Sequence, residues 1–266
     1  VIGCSNPLVG NILVELYSKL TSNDVRYVGK IAVAEAAKVI ENVQRDINIG
    51  LVNELARIFP SLQIDVEDVL NAASTKWNFH RYTPGVGVGG HCIPVDPYYM
   101  IQRASEVGVP AELISAARAV NHTMPIHVSN LINEILYKQG VPANKGRVLF
   151  LGWSYKPQVG DPRETPASPL ADSLIKRGIS IASWDPHLEA GDFPSNVDVL
   201  SDIESAENFD MVILITAHQE CLEIDWTRLL QSMNTPLIYD GRRVLDLDKL
   251  ESIGWRVFAV GRPLGD

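Results

Sequence analysis

Residues 146–157 read GRVLFLGWSYKP, and at this point the character of the chain changes. RVLFLG is a short, continuously apolar run, the signature of a strand buried on both faces. The pattern returns in ISIASWD (179–185), MVILITAH (211–218), PLIYDG (236–241) and WRVFAVG (255–261). Between the runs lie helical or loop segments such as SPLADSLIKRG (168–178), which ends on a glycine stop. Strands of this kind alternating with helices predict a parallel sheet covered on both sides. Residues 145–266 are therefore expected to form a doubly wound α/β domain. Its first turn, GWSYKP, holds one glycine and lacks the G-x-G-x-x-G of a dinucleotide site.

Upstream, the periodicity is helical. GNILVELYSKLTSND (10–24) spaces Ile12, Leu13, Leu16 and Leu20 for one helix and ends in a polar turn. A long helix follows from near Ala32 to Pro60. Asn42, Asn48 and Gly50 interrupt it, Gly at about 1 kcal/mol, so a site or a close packing contact should explain them. DVEDVLNAAST (65–75) predicts a helix with Asp65 as N-cap and Asp68 in the first turn. Two more are expected in 96–110 and 111–140, the second closed by Gly140. Residues 10–144 are thus expected to be all helical. The chain opens on VIGCSNP, whose apolar start resembles the tail of a buried strand. Residues 1–9 are expected to be the remnant of a preceding domain.

Apolar residues make up 46% of the 266, enough for a large core, and the formal net charge is −9. That balance excludes a nucleic-acid backbone as partner, which needs clustered Lys and Arg, but not a small anionic ligand. Three cysteines, Cys4, Cys92 and Cys221, are no disulfide framework and point to a reducing, cytoplasmic setting. No apolar run reaches the roughly 18 residues of a membrane span.

A G-x-G-x-x-G does occur, at Gly85, Gly87 and Gly90 within TPGVGVGGHCIPVDPYYM (83–100). It follows a polar, proline-ended segment and precedes two prolines, so the strand-turn-helix context of a dinucleotide fingerprint is missing. What remains is a glycine-rich loop presenting Cys92 beside His91 and four residues before Asp96. Glycines let backbone amides approach a ligand, and a thiol among exposed amides becomes a nucleophile if its pKa falls. A buried structural cysteine in a tight loop is the alternative. No second Cys or His lies at zinc-ligand spacing, and no metal is expected.

PGVGVGGHCIPVDPYY resembles the active-site loop of the UDP-glucose/GDP-mannose dehydrogenases. AEAAKVIENVQRDINIGLVNEL resembles that family's central helix, GWSYKPQVGDPRETPA the opening of its C-terminal domain, and YDGRRVL its late strand with a substrate arginine. His91 before the cysteine resembles the UDP-N-acetylhexosamine branch, where the glucose branch more often has Ser. The resemblance implies a helical dimerisation domain over 10–144 and a Rossmann-like UDP-binding domain over 145–266, without the family's N-terminal NAD-binding domain and its catalytic glutamate. It further implies polysaccharide biosynthesis, a UDP-sugar substrate, NAD held mainly by the absent domain, and a homodimer through the central helix.

The family oxidises a sugar C6 alcohol to a carboxylate in two hydride transfers to NAD. Carried over by resemblance, Cys92 attacks the intermediate aldehyde, and the thiohemiacetal passes to a thioester that water hydrolyses. Lys38 and Asn42, four apart on one helix, would hold the C6 oxyanion; a solvated Lys and a packing Asn are the alternative. Asp96 resembles the acid that orients water or Lys38, and its alternative is a turn residue before Pro97. Thr83, Gly85, Gly87 and Gly89 would wrap the sugar diphosphate, with Tyr155, Lys156 and Arg242 contacting it. Arg163 resembles an arginine reaching the cofactor, or else a surface partner of Asp161 or Glu164. Arg243 is taken as an ordinary surface charge, Cys4 and Cys221 as structural. Val95 stands where the glucose branch often has a lysine, and Lys76 falls near a family arginine that reaches a neighbouring subunit. A dimerising UDP-sugar-binding module without catalysis is the rival reading, and a Cys-His hydrolase a third.

Overall fold

The computed structural model describes residues 1–265; Asp266, the last residue of the expected second domain, lies outside the described residues. The chain opens with β1 (Ile2–Gly3), α1 (Pro7–Ser18) and β2 (Tyr27–Gly29). Asn6 caps α1 by accepting the Leu8 amide at 3.0 Å, and Pro7 fills the first helical position, where no N–H is needed. β1 and β2 pair in parallel. β1 is a strand as expected, although half-buried rather than buried. β2 corrects the all-helical reading of 10–144: Tyr27–Gly29 is too short to show alternation and becomes a strand only by pairing with β1.

The helical part follows. α2 (Ile31–Ile58) runs for 28 residues, α3 is Val66–Ala73, α4 Asp96–Glu106 and α5 Glu112–Lys138. Asp65 accepts the Glu67 amide at 2.8 Å and so caps α3. Gly140, at φ +78°, ends α5: its N–H bonds to Tyr137 O and that of Val141 to Leu136 O, both 3.0 Å, a Schellman closure.

The sheet then builds from β3 (Arg147–Leu151), α6 (Ala167–Ile175), β4 (Ser180–Trp184), β5 (Asp198–Val199), β6 (Met211–Leu214), α7 (Gln219–Leu222), α8 (Trp226–Gln231), β7 (Leu237–Asp240), α9 (Leu247–Ser252) and β8 (Arg256–Ala259). All six strands are parallel, in the order β5-β4-β3-β6-β7-β8. The order reverses at β3, as in doubly wound nucleotide-binding sheets. The two-residue β5 carries no sequence signal of its own.

One apolar cluster crosses from helices to sheet, joining Val52, Ala56, Val66 and Leu70 to Val148, Phe150, Leu237 and Val260. Two polar stitches seal that seam. The Val66 amide donates to Gly261 O at 3.0 Å, and Arg243 Nη2 donates to Asp65 Oδ1 and Oδ2 at 2.8 and 3.0 Å. Arg243 is therefore not an ordinary surface charge: its side chain is 5% exposed and locked to the α3 cap.

Candidate active site

α2 and α5 cross where side chains are small. A Cβ placed on Gly50 would lie 3.1 Å from that of Ala117, so the glycine is there for close approach. Around the crossing, four polar side chains are sealed from solvent: Asp46, Asn53, Arg118 and Asn121. Arg118 Nε donates to Asp46 Oδ2 at 2.7 Å, Asn121 Nδ2 to Asp46 Oδ1 at 2.8 Å, and Asn53 Nδ2 to Asn121 Oδ1 at 2.8 Å. Burial raises the Asp46 carboxyl above its ordinary pKa, with the Arg118 charge and hydrogen bonds opposing it. These four residues were not singled out from the sequence. Their signal was present: Asn42, Asp46, Gly50 and Asn53 recur at helical spacing on one face, a polar stripe where apolar residues belong.

The cysteine loop lies over this crossing. Gly85 N–H donates to Asn53 Oδ1 at 2.9 Å, and Pro94 O accepts from Arg118 Nη1 at 3.1 Å. Between these anchors Cys92 is exposed. Its carbonyl accepts the amides of Val95 and Asp96, at 3.1 and 2.8 Å, and so turns the chain into α4. Asp96 Oδ2 accepts from Asn42 Nδ2 at 2.6 Å. Helix α2 thus meets the cysteine loop at Asn42, and two expected site residues are in direct contact. Lys38 is not with them. Its ammonium pairs with Glu41 at 3.1 Å on the exposed face, one turn from Asn42. Asn48, the third interruption noted in α2, only donates to Gln44 O of its own helix.

The loop glycines approach protein. A Cβ on Gly87 would meet Pro166 at 2.9 Å, one on Gly89 would meet Pro166 and Tyr155 at 2.8 and 2.9 Å, and one on Gly90 would meet the Tyr155 ring at 2.8 Å. The Gly90 amide donates to Glu164 O at 3.2 Å. So Gly87, Gly89 and Gly90 seat the loop on the turn after β3. Gly85 is different: its neighbour would be Arg242 Nη1 at 2.9 Å. Thr83, at the loop's start, is exposed.

The turn after β3 supplies Tyr155, half-buried with His91 edge-on at a ring distance of 6.1 Å, and Lys156, exposed with no carboxylate within 4.0 Å among the described residues. Arg163 is engaged on the surface: Nε and Nη2 grip Asp161 at 2.9 and 2.6 Å. Those bonds hold the Asp161 carboxyl down at about 2.

Asp185 follows β4, where a dinucleotide-binding sheet keeps the acid that takes a ribose hydroxyl. Here it is spent internally. Oδ2 accepts the Trp153 and Ser154 amides, both at 2.7 Å, and lies 3.0 Å from His218 Nε2; Oδ1 accepts the His187 amide at 2.9 Å. Burial works against the charged form, but the bonds from His218 and the three amides outweigh it, holding Asp185 well below the carboxylate range. His218 Nδ1 accepts the Gln158 amide at 3.1 Å, so Nε2 carries the proton. His187, His218 and Glu220 are close enough to suggest a metal cluster. With both His218 nitrogens engaged, no third ligand is open. Cys221 lies buried beside them, its thiol pushed up to about 12 by burial.

After β7, Asp240 accepts four amides, from Arg242, Arg243, Val244 and Leu245, at 2.8 to 2.9 Å. The turn so formed sends the two arginines apart. Arg243 goes to Asp65. Arg242 goes to Gly85 and, among the described residues, has no carboxylate within 4.0 Å. Burial pulls its pKa down while Asp240 opposes.

Among the described residues, no helix is long and apolar enough to cross a membrane. Residues 32–123 match the central domain, and residues 149–247 the UDP binding domain, of one protein family. The chain is 37% identical over 243 residues to Protein CapL of Staphylococcus aureus, covering 90% of this chain and 56% of that protein. It is 36% identical over 247 residues to a UDP-N-acetyl-D-glucosamine 6-dehydrogenase of Pseudomonas aeruginosa, covering 92% and 58%. A solved UDP-D-ManNAc dehydrogenase from Pyrococcus horikoshii superposes with TM-score 0.82 at 28% identity, over 96% of this chain and 58% of that one. An NDP-N-acetyl-D-galactosaminuronic acid dehydrogenase from Methanosarcina mazei Go1 gives 0.86 at 27%, over 98% and 57%. The chain therefore spans little more than half the length of these proteins. Fold, cysteine loop and both family matches agree: the chain belongs to the UDP-glucose/GDP-mannose dehydrogenase family.

Proposed function

We propose that this chain is the substrate-binding, thiol-bearing part of a nucleotide-sugar 6-dehydrogenase acting on a UDP-N-acetylhexosamine. The observation that carries the reading is Arg242, a guanidinium without a carboxylate partner set against Gly85. With exposed Lys156 and half-buried Tyr155 on the neighbouring turn, it offers fork, point charge and ring to a nucleoside diphosphate. The sugar's C6 then faces the loop of Cys92. The thiol adds to the C6 aldehyde, its sulfur bonding carbon while the carbonyl oxygen takes a proton. Asn42, with Lys38 after it leaves Glu41, donates to that oxygen, and Asp96 orients a water beside the same carbon. The names of the relatives from Pseudomonas aeruginosa and Pyrococcus horikoshii support the N-acetylhexosamine class.

The described residues do not fit NAD. The first turn of the sheet has one glycine, Gly152, with Thr216 against it, and the Asp185 carboxylate has no exposed surface to offer a ribose. The hydride acceptor is therefore assigned to another domain, and nothing assigned to this chain passes through it. Arg163, gripped by Asp161, must release it to reach any cofactor.

A homodimer is proposed through α2. Val33, Ile40, Leu51 and Ile58 are 47, 55, 53 and 46% exposed at intervals of 7, 11 and 7, which places them on one helix face. An unpartnered apolar stripe of this length is what a second copy would cover. Calorimetric titration with UDP, UDP-N-acetyl-glucosamine and UDP-N-acetyl-mannosamine, with NAD as control, tests the reading. UDP-sugar binding without NAD binding is expected. No heat with any UDP ligand would remove its basis.

A further inference from the structure

Besides its seat on the turn after β3, the loop that carries Cys92 is held to the buried helix crossing at two points nine residues apart, and both belong to one circuit. The circuit runs from Pro94 O to Arg118, from Arg118 to Asp46, and on through Asn121 and Asn53 to the Gly85 amide. Its polarity is forced. Asp46, ionised and paired with Arg118, is an acceptor only, so Asn121 must turn its NH₂ toward it. That leaves Asn121 Oδ1 to accept from Asn53, and Asn53 Oδ1 to accept from Gly85. Asn121 also donates to the Asp46 carbonyl at 2.9 Å, which fixes its amide on α2. Beside Pro94 a pocket of about 330 Å³ opens, lined by Val88, Pro94, Val95, Arg118 and His122 among others.

We propose that Asp46, Arg118, Asn121 and Asn53 are a positioning unit for the Cys92 loop. They fix the Gly85 amide and the Pro94 carbonyl, and so set Cys92 against Asn42 and Asp96. The role of Cys92 as nucleophile rests on the function proposed above, whereas the hold on the loop does not. Charge alone is insufficient for the unit. Lys at 118 can face Asp46 but cannot also reach Pro94 with a planar fork.

The test uses the full chain and compares iodoacetamide alkylation of Cys92, Cys4 and Cys221 by peptide mass mapping in the unaltered protein, Arg118→Lys and Asn53→Ala. The Cys92 rate is expected to change by about fivefold or more in both variants, the equivalent of one lost hydrogen bond. Cys4 should keep its rate and Cys221 should stay unreactive. A Cys92 rate within about twofold of the unaltered chain in both variants, at fivefold being the worth of one bond, would overturn the proposal. So would a rise shared by Cys221, which would mean general loosening. If neither variant folds, amide exchange in the unaltered chain decides. The Gly85 amide should exchange slowly for a loop residue, and exchange at the unprotected rate would overturn the hold. UDP titration of the same samples separates the two readings: an unaltered chain that binds no UDP counts against the nucleotide-sugar function and leaves the Cys92 comparison standing.

Discussion

Asp46 and Asp185 are both carboxylates with no exposed side-chain surface, but the two halves of the molecule satisfy them differently. In the helical half, Asp46 is met by side chains, a guanidinium and an amide from α5 more than 70 residues away. In the sheet half, Asp185 is met by three backbone amides and one histidine. Helices use up their own amides, so a charge buried between two of them needs partners brought by other side chains. Turns at the ends of parallel strands have amides to spare, and a carboxylate can gather them. The first arrangement depends on two elements meeting in register. The second is a device of the turn itself.

Breaking the helical arrangement should cost most. Asp46→Ala leaves Arg118 charged and buried, and a loss of about 3–5 kcal/mol is expected in urea unfolding. Asp46→Leu combined with Arg118→Met should cost less than the single change, and a double variant worse than the single would break the comparison. Asp185→Ala strands three amides and His218, with an expected loss of about 2–3 kcal/mol, smaller because water can enter the opened turn. The two acids also differ in sign with pH. The folded pKa of Asp185 is depressed, so its stabilisation is present above the unfolded value of about 4 and is lost as pH falls through the folded value. Asp46 is raised, so acid favours its folded form instead. Thermal melts from neutral pH downward should show a flatter acid limb for Asp185→Asn and a steeper one for Asp46→Asn.

Smaller effects sharpen the comparison among the arginines. Arg242→Ala should weaken UDP binding about ten- to a hundredfold in calorimetry, the worth of a charged hydrogen bond, with the melting temperature unchanged. Arg243→Ala should do the reverse, lowering stability and sparing affinity. Arg163→Ala should leave the melting temperature unmoved, because its pair with Asp161 is exposed on the arginine side. A measurable drop would mean that surface pair matters more than its setting allows.

The sequence made the sheet legible because buried parallel strands are continuous apolar runs, and five of the six carry one. β2 and β5 escaped because two or three residues hold no period. In the site, Asn42, Cys92 and Asp96 could be named from the resemblance, and the glycine loop could be separated from a dinucleotide turn by its prolines. The glycines' partners, Pro166 and Tyr155, were out of reach, since they lie some 70 residues on and are brought to the loop by the fold of the sheet. Arg242 was named from its place in the motif, but that Arg243 turns to Asp65 rather than to solvent was beyond local pattern, because the turn around Asp240 sends the two side chains apart. The network behind the loop was half visible, as a polar stripe on α2 without its complement on α5.

The seam between helices and sheet bears on how the chain comes apart. Arg243 and Asp65 are 178 positions distant, and the Val66 amide closes on the last residues of the sheet. Such contacts cannot form until nearly the whole chain is in place, and they are among the first that a shortened chain would lack. Unfolding should therefore be a single cooperative transition across both family domains. Cleavage near residue 145 should release no independently stable half, and the C-terminal tail, though far in sequence from the cysteine, belongs to the same melting unit.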